Sequence, residues 1–199
     1  MLYFPNTTKD APVDTHQVES PDMSMTTRRR LIASLLAGGA VIAATPLFAG
    51  QASAAEAGGP PHRDPADNEA LNSSLERESR MVATYRKAIV GLTENDLIAM
   101  TLILDHHVAY AQALTGYLAV DVVNPSSAPL ASPTGSVTSI ARQLATLEDQ
   151  TATIHTNIIG TIKGIDAAML LASIVTVEAR HAAALELIAG SSPIAAIGN

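Results

Sequence analysis

The stretch Ile174-Val175-Thr176-Val177-Glu178-Ala179-Arg180-His181-Ala182-Ala183-Ala184-Leu185 sets one carboxylate and one imidazole three residues apart in a mostly apolar run. On a helix two such side chains share a face, with Cβ atoms roughly 5–6 Å apart. Ile174, Glu178, His181, Leu185 and Ile188 step by 4, 3, 4 and 3, so the polar pair falls inside the stripe that must face a core. A carboxylate buried there needs a metal, a hydrogen bond or a counter-charge. The rest of the chain has to supply it.

Working outward, Asp166 can cap this helix, which is expected over about Ala167–Ala189 with Gly190 at its end. Before it, a helix over about Val137–Ile162, ended by Gly164, carries Ala141, Leu144, Glu148, Thr151, His155 and Ile158 on one face. Residues 121–136 hold three prolines and several serines, which predicts a long connection able to cross a bundle. Earlier still, Thr93-Glu94-Asn95-Asp96 opens a helix to about Val120, with Leu97, Met100, Leu104, His107, Ala111, Leu114 and Leu118 inside. The first helix is capped by Asp67 or Asn68 and runs to about Val90, where Gly91 stops it; its stripe of Leu71, Leu75, Val82, Tyr85 and Ile89 is completed by Glu78. No strand pattern occurs. The expected fold is therefore all-α, a four-helix bundle over 67–190 with a long connection between helices 2 and 3.

The two halves repeat. Glu78 is followed on the next helix by Leu104-x-x-His107, and Glu148 by Glu178-x-x-His181; Tyr85 lies seven after Glu78, as His155 lies seven after Glu148. Inward Glu78, His107, Glu148, Glu178 and His181 fit either a metal site or a buried hydrogen-bonded network neutralised by Arg180 or Arg142. Tyr85 could tune a metal or simply bond a carboxylate while packing the helices.

Leu71-Asn72 with Leu75, Glu78 and Tyr85, then His107-Val108, Leu144-Ala145-x-Leu147-Glu148-Asp149 and Val177-Glu178-Ala179-Arg180-His181-Ala182-Ala183 together resemble the ferritin-like domain family, in the branch that includes the desiccation-related proteins. The resemblance covers roughly Asp67 to Ala189. It implies an iron or manganese site, mononuclear or dinuclear, built from one Glu on each of two helices and a Glu-x-x-His on each of the others. Glu78 and Glu148 match the single glutamates, Glu178 with His181 matches one Glu-x-x-His, and His107 matches the other histidine, while Tyr85 and His155 fall to a supporting role around them. Leu104 stands where a bridging glutamate is expected, which implies a weaker site, a mononuclear one or a decayed one. Asp105 and His106 lie about 200° and 100° around the helix from His107 and read as a solvated or interhelical pair. His155 is the better substitute, on the inner face although roughly 10 Å along the axis from Glu148.

Residues 1–25 lack periodicity and read as disorder or an over-extended start, with Met23 or Met25 as the natural one. Residues 26–54 combine Arg28-Arg29-Arg30, a mild apolar run and Ala52-Ser53-Ala54, which resembles a Tat export signal cut after Ala54; an uncleaved anchor is the alternative. Residues 55–66 are a Gly/Pro-rich linker and 191–199 a short tail. The expected location is thus the periplasm, cell wall or exterior.

The chain carries 12 Lys and Arg against 19 Asp and Glu, net −7, which argues against nucleic acid as a partner. No membrane association is expected after cleavage. A metal ion and a homodimer partner remain. The absence of cysteine excludes thiolate ligands, iron–sulfur clusters, disulfides and thiol nucleophiles. Met81, Met100 and Met169 read as core filler, and Glu76 with Arg77 and Arg80 as a surface charge cluster. Enzymatic activity and substrate stay open.

Overall fold

A computed structural model describes residues 63–190, apart from the side chains of residues 94–96. The sequence readings for 1–25, 26–54, most of 55–66 and 191–199 lie outside the described residues. Four helices follow one another: α1 (Asn68–Ala88), α2 (Glu94–Leu118), α3 (Val137–Ile159) and α4 (Ile165–Ile188). There is no strand among the described residues. The expected all-α bundle with a long connection between helices 2 and 3 is present.

The helix ends follow local chemistry. Gly91 and Gly190 adopt φ of 83° and 79° just past α1 and α4, a conformation that side chains with a Cβ resist. Ser136 caps α3 by accepting from the Ser139 amide. The third helix stops at Ile159, short of the expected Ile162, because glycine at 160 propagates a helix poorly and the Ile158 carbonyl is taken by the amides of Thr161 and Ile162. Gly164 instead precedes α4 as its N-cap, and Asp166 lies in the first turn. Asp67 does not cap α1 with its side chain. Its buried carboxylate accepts from the amides of Lys163 (3.0 Å) and Gly164 (2.8 Å), tying the start of α1 to the turn that launches α4.

α1 packs mainly on α2 and α3 mainly on α4, while α1 also touches α3 and α2 touches α4. The apolar interior is split in two. Near one end Met81, Tyr85, Met100, Ile103, Leu104, Leu144 and Leu185 pack together, and near the other Leu71, Leu75, Leu114, Leu118, Leu171 and Ile174. Between them lies a polar layer. Met81 and Met100 are core filler as expected, but Met169 is 60 % exposed, because it sits on the outer face of α4 beside buried Leu170 and Leu171.

The connection from α2 to α3 is held along α1 by residues one turn apart. Asn72 donates to Asp121 O and accepts from the Val123 amide, Glu76 accepts from the Ser126 amide, Arg80 donates to Ala128 O, and Thr84 accepts from the Leu130 amide. The spacing of four keeps these side chains on one face. Glu76 and Arg80 therefore fasten the crossover, which a reading as a free charge cluster overlooks.

Candidate metal centre

Each helix sends one or two polar side chains into the layer between the apolar clusters. Glu78 comes from α1, His106 and His107 from α2, Glu148 and His155 from α3, and Glu178 and His181 from α4; the three carboxylates and four imidazoles are all buried. They form one connected chain of contacts. His107 Nδ1 is 2.7 Å from Glu78 Oε2 and its Nε2 is 2.9 Å from Glu148 Oε1. Tyr85 donates its hydroxyl to the same Oε1. His181 Nδ1 reaches Glu148 Oε2 at 3.3 Å, and its Nε2 meets His106 Nδ1 at 2.8 Å. His155 Nδ1 stands 3.0 Å from Glu178 Oε1 and 3.2 Å from Oε2, with hydrogen-bond geometry only to the latter. His155 Nε2 faces Glu78 Oε1 across 3.7 Å.

The electrostatics divide the group. Burial works against the charged form of His107, but Glu148 and Glu78 on either side outweigh it and hold its pKa well above the ordinary value. With both ring nitrogens facing carboxylate oxygens, His107 is an imidazolium bridging two acids. Burial pushes Glu148 and Glu78 up, yet the neighbouring histidines, His107 foremost, bring both below the usual carboxylate value. Glu178 goes the other way. Burial, with Glu78 and Glu148 adding like charge against a partial offset from His155, raises it to about 8. His155 is raised, its burial outweighed by Glu178 and Glu78. His181 and His106 are lowered, both chiefly by burial, the latter to about 4. These two are neutral rings, so His181 donates from Nδ1 to Glu148 and accepts at Nε2 from His106 Nδ1.

Two triads have ligand atoms within 4.8 Å of one another: His107, Glu148 and His181, and Glu78, His155 and Glu178. The profile of the ferritin-like domain family matches residues 66–191, nearly all of the described bundle. The chain belongs to the ferritin-like domain family. No curated protein and no solved structure matches it.

All five inward residues read from the ferritin-like pattern, Glu78, His107, Glu148, Glu178 and His181, meet in this layer, together with Tyr85 and His155. Two further residues were not read there. His106 was placed away from the inner face, yet it is buried against His181 while Asp105 is exposed. The reason is that α2 touches two helices, so its buried arc is wide. Ile103, His106 and Tyr110, on one stripe, are buried along with His107 and Leu114 on the other. Arg77, read from the sequence as part of a surface cluster, interacts electrostatically with Glu178, Glu78 and Glu148, while Arg180 acts on Tyr110 beside the layer. Arg77 donates from Nε to Thr151 (2.9 Å), and its guanidinium, weakened chiefly by burial, is supported by Glu178 and Glu78. Arg142 instead reaches the Ala189 carbonyl.

The donor set fits a hard or borderline divalent ion. Carboxylates and imidazoles suit iron and manganese, and no thiolate is available to draw softer metals. Glu78 Oε1, Glu178 Oε1 and His155 Nε2 are buried without a hydrogen-bond partner. Such atoms are costly unless something binds them.

Proposed function

We propose that this ferritin-like protein holds iron or manganese between its four helices and acts in metal handling or metal-dependent redox chemistry outside the cytoplasm. The observation that carries the reading is the buried group of Glu78, His155 and Glu178, each with a ligand atom that has no hydrogen-bond partner and all with ligand atoms within 4.8 Å of one another. Fe(II) bound by carboxylates and imidazoles with open positions supplies reactivity towards dioxygen or peroxide.

The chain's own residues act around that chemistry. The two apolar clusters exclude bulk water from the layer. Tyr85, through its hydroxyl, fixes the orientation of the Glu148 carboxylate, and His106 fixes the tautomer of His181. Arg77 compensates part of the acidic charge. The Tat-like leader over 26–54 and the motif likeness to the desiccation-related branch support export and a stress-related role.

A second reading has its own support. Leu104 withholds one carboxylate, and the polar side-chain atoms of His107, Glu148 and His181 are already hydrogen-bonded, which suits a structural bundle whose site has decayed. Metal content by elemental analysis with an absorption spectrum separates the two, on protein matured from Met25 and reconstituted with Fe(II) and Mn(II) in turn. About one or two ions per folded chain supports the metalloprotein. A folded chain that retains no ion leaves the structural bundle.

A further inference from the structure

The two triads differ in what their atoms already do. In the first, both nitrogens of His107 are occupied, both oxygens of Glu148 accept hydrogen bonds, and His181 is bonded at both ring nitrogens. The His107 ring lies between Glu78 and Glu148, 2.7 Å and 2.9 Å from their oxygens, and ties the two acids together. An ion entering there must break these bonds and displace a proton.

In the second triad one atom per residue, Glu78 Oε1, His155 Nε2 and Glu178 Oε1, lacks a well-formed hydrogen bond, although Glu178 Oε1 lies 3.0 Å from His155 Nδ1, and each residue is fully buried. The 3.7 Å between His155 Nε2 and Glu78 Oε1 is too long for a hydrogen bond. Two donors each about 2.1 Å from a shared ion stand roughly 3–3.6 Å apart at ordinary coordination angles, so a small inward shift suffices.

Arg77 adds a fixed positive charge on the side of these acids. Arg77 is anchored by Thr151, one turn before His155, and its Nη2 is buried without a partner beside this triad's acids.

We infer that this chain is built for one divalent ion, seated on Glu78, His155 and Glu178, with His155 of α3 supplying the donor that Leu104 withholds from α2. His107, Glu148 and His181 then form a hydrogen-bonded brace and not a second metal position. The inference rests on the proposal that the bundle binds metal at all.

Mn(II) is the probe. The purified full chain, stripped with a chelator, is titrated with Mn(II) while free ion is followed by electron paramagnetic resonance. Pulsed measurements on the bound ion count its coordinated imidazole nitrogens. One Mn(II) per chain with one imidazole is expected. His155→Phe should weaken binding by about a hundredfold or more, and His181→Phe by less than about tenfold. Two coordinated imidazoles, or tight binding that survives His155→Phe and fails in His181→Phe, overturns this inference and leaves the metal reading standing. A folded wild-type chain that binds no Mn(II) or Fe(II) overturns both. If His155→Phe does not fold, the imidazole count on the wild type decides alone.

Discussion

Leu104 and His155 are the two positions on which the proposed single-ion site turns. A glutamate at 104 would lie one turn from His107 on the face that His107 shares, whereas leucine there joins the apolar cluster with Met100 and Leu144. On the proposed reading, the carboxylate that α2 does not supply is made up in the opposite triad by His155 of α3, two turns beyond Glu148. Leu104→Glu is therefore expected to raise Mn(II) stoichiometry from one to two. It should also destabilise the metal-free protein by several kcal/mol, since an acid is then buried among apolar side chains. Titration of the variant with Mn(II) and urea denaturation with chelator present measure both effects. Unchanged stoichiometry would mean that position 104 does not address the centre. The inward glutamates and His107, His155 and His181 were legible because each interrupts a regular apolar stripe. His106 and Arg77 were not, because a stripe describes one face and each reaches the layer from a flank of its helix.

At the scale of elements, helix existence and order were legible from periodicity and from Gly91 and Gly190. The crossover was legible only as a long connection. Its course depends on side chains of α1 that read locally as surface polarity, and their targets are backbone groups about 50 residues away. Among these fasteners, Thr84 is fully buried and bonds the Leu130 amide at 2.9 Å. Thr84→Val leaves that amide without its acceptor and should cost about 1–2 kcal/mol. Glu76→Ala, at a better solvated position, should stay within about 0.5 kcal/mol, and urea denaturation of both variants tests the contrast. The end of α2 offers a gain. Ala119 has φ 51° and ψ −111°, a backbone region natural only to glycine. Ala119→Gly should raise stability by about 1 kcal/mol, the relief of strain exceeding the added freedom of the unfolded chain, seen as a higher urea midpoint at unchanged slope.

Across the whole molecule, a polar layer between two apolar clusters makes stability depend on what neutralises that layer. Without metal, protons do it. Glu178 keeps its proton to about 8 in the folded chain but loses it near 4.5 when unfolded. His107 and His155 likewise hold protons above their ordinary 6.5 when folded. All three bind more protons folded than unfolded between pH 6.5 and 8, so rising pH removes stability in that window. His181 and His106, whose values are lowered, exert their opposite effect mostly below 6.5, and what remains above it, about 0.4 kcal/mol for each, offsets only part of the loss. Glu78 and Glu148, held below 4.5, lose stability only as pH falls through their lowered values, so they do not contribute there. For each uncompensated proton the loss over this interval is about 2 kcal/mol. With chelator present, the melting temperature should therefore fall from pH 6.5 to pH 8. An ion on Glu78, His155 and Glu178 replaces the protons of His155 and Glu178 and binds more tightly as they leave. Added Mn(II) should then raise the melting temperature more at pH 8 than at pH 6.5, so the gap between the metal-loaded and metal-free curves widens as pH rises. Parallel curves would show that the ion does not compete with these protons and that its ligands lie elsewhere.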